Sequence, residues 1–244
     1  MKRSSLAALL ALAASLTLAP VSAFAENDKT PPGDPCSKGN SNPCNRNNGN
    51  EGSNGNSGNG NPLFTNIPKP TGYNNGAYIT QVGESHVARI DQAAPVQYAR
   101  IAQQGTANRA IANQQGGAQF SELSQQGNEN ALEVDQRGAG ENVLYFSQQG
   151  KLNTAIITQN VDGATHNAAA ILQKGDGNDL SLTQDGSDNQ AALTQNGDSN
   201  AMTATQIGDA NRLKWTQQGD GLSNLAIQQS GGANVQITQS GGGK

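Results

Sequence analysis

Residues 103–114 read Gln103-Gln104-Gly105-Thr106-Ala107-Asn108-Arg109-Ala110-Ile111-Ala112-Asn113-Gln114. Asn108, Ala110, Ala112 and Gln114 fall at every second position, with Arg109, Ile111 and Asn113 between them. A period of two puts alternate side chains on opposite faces of a β-strand. Gly105 stands just ahead, and glycine supplies the φ > 0 conformation that a tight turn needs. The stretch therefore reads as a turn followed by a strand that begins at an Asn and ends at a Gln.

The same unit recurs on both sides. The Gln that closes each alternation is Gln81, Gln92, Gln103, Gln114, Gln125, Gln136, Gln148, Gln159, Gln173, Gln184, Gln195, Gln206, Gln217, Gln229 and Gln239, and ten of the fourteen intervals are eleven residues. Gln229 is preferred to Gln228 because it keeps Leu225 and Ile227 on the Gln face. A glycine follows two residues later as Gly83, Gly105, Gly116, Gly127, Gly138, Gly150, Gly175, Gly186, Gly197, Gly208, Gly219 and Gly231, and again at Gly241; Ala94 and Val161 are the exceptions. Six residues before a Gln stands Asn108, Asn130, Asn142, Asn153, Asn167, Asn178, Asn189, Asn200 or Asn211. The longer intervals before Gln148 and Gln173 predict swollen turns, because the alternation ahead of each Gln is intact.

Charged residues fall mostly on the second face, so the Asn-φ-φ-Gln face is expected to point inward. A buried amide must have its donors and acceptors satisfied. Coils that stack like on like bring the same amide back at the strand spacing of about 4.8 Å, where it can donate to one neighbour and accept from the other. A helix would scatter these residues, and an antiparallel sandwich would not place identical ones in register. The expected fold is all-β: a two-sheet β-solenoid of cross-β type, with about 22 residues per coil and about seven coils.

Three compositional zones surround this pattern. Lys2 and Arg3, the apolar run Leu6 to Leu18, and Ala23-Phe24-Ala25 have the form of a secretory signal peptide over 1–25, with cleavage expected after Ala25. No other long apolar stretch follows, so no integral membrane segment is expected after its removal. Residues 26–76 hold 14 Asn, 9 Gly and 7 Pro without one Gln, a composition expected to form a disordered leader. Residues 77–244 carry the repeats. Cys36 and Cys44, in the leader, suit a disulfide closing a small loop in an exported chain; free or intermolecular thiols are the other readings.

Composition also excludes. The 244 residues are 34% hydrophobic and 4% aromatic, too few for a large aromatic-rich core. The formal net charge of −4 offers no basic excess to hold nucleic acid. His86 sits in an Asn slot and His166 in a swollen turn, and no carboxylate pair stands out, so neither catalytic site, cofactor nor metal is expected. Gly175-Asp176-Gly177-Asn178-Asp179 is explained by turn chemistry better than by calcium binding. The outward positions divide. Tyr98, Phe120, Val143, Tyr145, Ala170 and Leu172 are expected to form an exposed apolar column on one sheet, while Arg89, Asp91, Arg109, Glu133 and Asp135 mark a solvated face on the other.

The unit Gln-x-Gly-x-x-Asn-x-Ala-x-x-x-Gln is similar to the curlin repeat of bacterial curli fibres. It stands intact in residues 103–114, and again as Gln148-Gly150-Asn153-Ala155-Gln159 and Gln184-Gly186-Asn189-Ala191-Gln195. The resemblance covers about Ala77 to Gly241. It implies an exported structural subunit, major or nucleator-like, of an extracellular amyloid that serves adhesion and biofilm matrix. It also implies secretion through the periplasm and an outer-membrane curli pore to the cell surface, with self-polymerisation and other curlin subunits as partners. The family's major subunit alternates Ser and Asn six before Gln, whereas His86, Gln97 and Gln119 occupy that slot here. The alternative is a monomeric secreted solenoid that binds ice or another surface through Thr154, Thr158, Ser181, Thr183, Thr203 and Thr205, an array interrupted by Ile156.

Overall fold

The computed structural model describes residues 67–71, 74–163 and 165–241. The 1–25 segment, most of the leader, and both cysteines lie outside the described residues. What is described is a two-sheet parallel β-solenoid, as the eleven-residue period implies.

Strands alternate between the sheets. The first sheet takes β1 (Gly76–Glu84), β3 (Gln97–Thr106), β5 (Gln119–Asn128), β7 (Glu141–Lys151), β9 (His166–Lys174), β11 (Gln190–Asn196), β13 (Arg212–Gln218) and β15 (Asn234–Ser240), in that spatial order. The second takes β2 (Val87–Gln92), β4 (Arg109–Gln114), β6 (Ala131–Gly138), β8 (Thr154–Val161), β10 (Asp179–Asp185), β12 (Ala201–Ile207) and β14 (Leu225–Ser230). Every neighbouring pair is parallel and in register on its Gln: Gln103 opposes Gln125, and Gln184 opposes Gln206. The register survives the long intervals, since Gln125 still opposes Gln148 and Gln148 opposes Gln173. The extra residues are set aside in the turns between β6 and β7 and between β8 and β9. Gln229, not Gln228, takes the place over Gln206.

The core is a thin slab between the sheets. Each strand contributes two apolar layers flanked by amides, as in Asn130, Leu132, Val134 and Gln136, all fully buried. Large residues such as Phe146 and Trp215 share the slab with Ala110, Ala112, Ala155, Ala191 and Ala204. Mixing large and small inward residues fills a space of fixed width at native density. Burial of a full Leu or Ile side chain contributes roughly 1.5–3 kcal/mol, and almost every coil repeats it.

Candidate functional site

Two glutamine columns run the length of the solenoid. In the first sheet Gln81, Gln103, Gln125, Gln148, Gln173, Gln195, Gln217 and Gln239 form an unbroken chain, each Nε2 donating to the next Oε1 at 2.8–2.9 Å. In the second, Gln92, Gln114, Gln136, Gln159, Gln184, Gln206 and Gln229 do the same at 2.7–2.9 Å. The second amide hydrogen goes to a backbone carbonyl across the turn: Gln114 to Tyr98 O at 2.9 Å, Gln136 to Phe120 O at 3.0 Å, Gln159 to Val143 O at 3.3 Å. Both donors and the acceptor are used, which is what makes a fully buried amide tolerable. All the donors point the same way, toward the C-terminal edge.

The asparagines build a second set of columns at the turns. Asn130, Asn153 and Asn178 each donate through both the backbone N–H and Nδ2 to the Oδ1 of the Asn one coil earlier, at 3.0–3.1 Å. Asn142, Asn167, Asn189 and Asn211 make the corresponding column at the other rim, begun by Gln119, whose Oε1 accepts from Asn142. Several Nδ2 groups also reach forward to a turn-glycine carbonyl: Asn108 to Gly127, Asn130 to Gly150, Asn153 to Gly175, Asn200 to Gly219, at 2.7–2.8 Å. At the first coil His86 stands in the same slot, with Nδ1 3.3 Å from the Asn108 N–H and Nε2 3.1 Å from Val82 O. It therefore serves Asn108 in the tautomer that carries its proton on Nε2.

These columns require the glycines. Gly127 has φ +116°, and a Cβ placed there would lie 1.9 Å from the Gly150 carbonyl oxygen. Gly83, Gly105, Gly116, Gly138, Gly150, Gly175, Gly186 and Gly197 have the same positive φ and the same carbonyl of the next coil within 2.3 Å. Gly208, Gly219 and Gly231 also have positive φ, but with more room around them toward the C-terminal edge. A second left-handed position lies two residues after the glycine, at Ser85, Ala107, Glu129, Leu152, Asp188, Ser199 and Ala210. No residue type marks that position, so sequence reading missed it. Aspartates add short outer columns: Lys151 N–H to Asp176, Asp176 N–H to Asp198 and Asp198 N–H to Asp220, each at 2.8 Å.

Both described edges of the stack are open. β1 is exposed almost throughout, including Tyr78, Ile79 and Val82, and the inward Ala88 and Ile90 of β2 are only partly buried. At the far edge Ile227, Val235 and Ile237 are likewise only partly buried. The Asn columns stop short of that edge, where Leu222 and Ala233 donate their N–H groups to Asn200 and Asn211. The Gln columns run through to it: Gln239 accepts from Gln217 and from Trp215 Nε1.

The outward apolar column differs from the sequence expectation of an exposed stripe. Tyr78, Tyr98, Phe120 and Tyr145 do line up, with ring centroids 4.9–5.6 Å apart. Phe120, Val143 and Ala170 are nonetheless buried, because Ile67 lies over this face and is itself 2% exposed. Burial, and to a lesser degree the Glu122 carboxylate, holds the Tyr98 phenol above its ordinary value. On the other sheet Arg89 pairs with Asp91, and Arg137 with Asp135. Such solvated pairs contribute at most about 1 kcal/mol each.

Among the described residues no group of three or more His, Cys, Asp or Glu is placed to hold a metal ion, and no helix is long and apolar enough to cross a membrane. Repeat and architecture together point to a structural protein. No curated protein and no solved structure gives a match to the chain. One full coil, from the swollen turn through β9 and β10 to Gly186, matches a family model: residues 163–186 match the curlin associated repeat.

Proposed function

We propose that this chain is an exported structural subunit of a curli-type extracellular fibre, in which β-solenoids add head to tail. The observation that carries the reading is the pair of open edges joined by polar Gln columns. One edge ends in Gln239, whose Nε2 donates to Ser223 O and keeps its second hydrogen for a further bond; the other begins with the acceptor oxygens of Gln81 and Gln92. An unprotected strand edge templates another chain, and solenoids that remain single usually carry caps. A second copy of this chain satisfies both edges, continues the ladders and covers the half-buried Ile90 and Ile237.

The curlin associated repeat supports the wider setting: secretion through the periplasm and an outer-membrane curli pore, partnership with other curlin subunits, and a role in adhesion and biofilm matrix. Purified chain lacking residues 1–25 should form filaments whose diffraction shows a meridional spacing near 4.8 Å. A soluble monomer that persists at high concentration, with no filaments after seeding, would overturn the proposal.

A further inference from the structure

We infer that residues 67–71 form a strap that seals the outer apolar face of the first sheet and so controls side-by-side packing of solenoids. The Ile67 N–H donates to Gln190 Oε1 at 2.9 Å, and Gln190 is an outward-facing residue of β11 that is only 2% exposed. Two residues on, Lys69 Nζ pairs with Glu141 at the start of β7. β11, β9 and β7 are successive neighbours in the sheet. The strap therefore crosses the strands, running along the solenoid axis from β11 back toward β1.

Its apolar contact is specific. Ile67 clusters with Phe120, Val143, Ala168 and Ala170, and Tyr98, Tyr145 and Ala192 pack around them. These residues come from β3, β5, β7, β9 and β11, so a single leader residue closes a patch spanning five strands. Glu141 is nine-tenths buried, and its second oxygen has no partner among the described residues. A buried carboxylate is costly unless paired, and among the described residues Lys69 is the cation that pairs with this one. A flat apolar sheet face without such a cover is the surface on which a second sheet stacks, about 10 Å away. The occupant in this chain is its own leader. Displacing it would leave a second copy's face as the best available partner.

The strap contact does not depend on fibre assembly; its consequence for fibre thickness rests on the function proposed above. The chain lacking residues 1–25 is compared with Ile67→Asp, Lys69→Glu, Glu141→Lys and the Lys69→Glu/Glu141→Lys pair. Under dilute monomeric conditions, Ile67→Asp and Lys69→Glu should raise the fluorescence of an apolar-surface dye several-fold and expose the leader to protease. The charge-swapped pair should return both toward the parent. In filaments, electron microscopy should show the single variants as laterally bundled and the parent and swapped pair as thin. Unchanged dye binding and proteolysis in Ile67→Asp would overturn the strap. Changed dye binding with unchanged bundling would overturn its role in lateral control. Failure of every variant and of the parent to make filaments would overturn the fibre reading and leave the monomer result standing.

Discussion

A break in a glutamine column should cost a fixed amount per break, not per residue. In Gln159→Leu the side chain keeps its size and its burial, but the ladder loses both neighbours. Gln136 Nε2 is left without the acceptor it had at 2.9 Å, and Gln184 Oε1 without the donor it had at 2.7 Å. Each orphaned buried group costs about 1–3 kcal/mol, which puts the single substitution near 3 kcal/mol. Gln184→Leu by itself orphans Gln159 Nε2 and Gln206 Oε1 in the same way. The double variant Gln159→Leu/Gln184→Leu still has only two side-chain orphans, Gln136 Nε2 and Gln206 Oε1. Its cost should stay near 3–4 kcal/mol, well short of the ~6 kcal/mol that independent sites would give, a coupling of roughly 2–3 kcal/mol. Trp215, the single tryptophan, lies fully buried in β13 and reports urea unfolding of the dilute monomer. Hydrogen exchange resolved by coil guards against partial unfolding of the array. Additive costs, or a single variant as stable as the parent, would refute the claim that the amides act as one chain of bonds.

Three further outcomes follow from the turns and the outer face. Gly127→Ala should destabilise by more than about 2 kcal/mol, because positive φ and overpacking against backbone combine, whereas Gly221→Asn, at φ +58° with open space around it, should be near neutral in the same urea assay. Leu152→Gly should stabilise by about 0.5–1 kcal/mol, since Leu152 holds φ +57° while 59% exposed and a left-handed L-residue costs roughly 1–2 kcal/mol, partly offset by the entropy of glycine in the unfolded chain; a loss of stability would show that the side chain matters more than the backbone. The Tyr98 phenol is raised in the fold, so its contribution is complete below its unfolded value of about 10 and is lost as pH climbs through the folded value; stability above pH ~10 should fall more steeply in the parent than in Tyr98→Phe.

How much of this was legible beforehand depends on whether a feature repeats. The coil could be read because eleven-residue spacing, period two and the turn glycine agree at nearly every unit. The inward Asn slot was legible for the same reason, although its double use of Oδ1 was not: that needs the backbone N–H and side chain of the next coil brought to one point. The left-handed position at Ala107, Glu129 and Leu152 left no mark, because it is imposed by the stacked turn and not chosen by side-chain chemistry. Ile67 was hidden for the opposite reason. It is one apolar residue in an Asn- and Pro-rich segment, without period or partner in the sequence, and only the fold brings it over β5 to β11. The exposed column expected at Phe120 and Val143 failed on that omission.

The swollen turns between β6 and β7 and between β8 and β9 show what the architecture does with surplus chain. The extra residues lie between the strands while the next strand resumes its place over its neighbour. Insertions at this rim are absorbed like slack in a rope at a pulley, leaving the strand register untouched. A foreign peptide spliced there would be displayed at regular intervals along a filament without disturbing its axis. Relatives that drift in length at the same places would keep the same architecture while their strict periodicity faded from view.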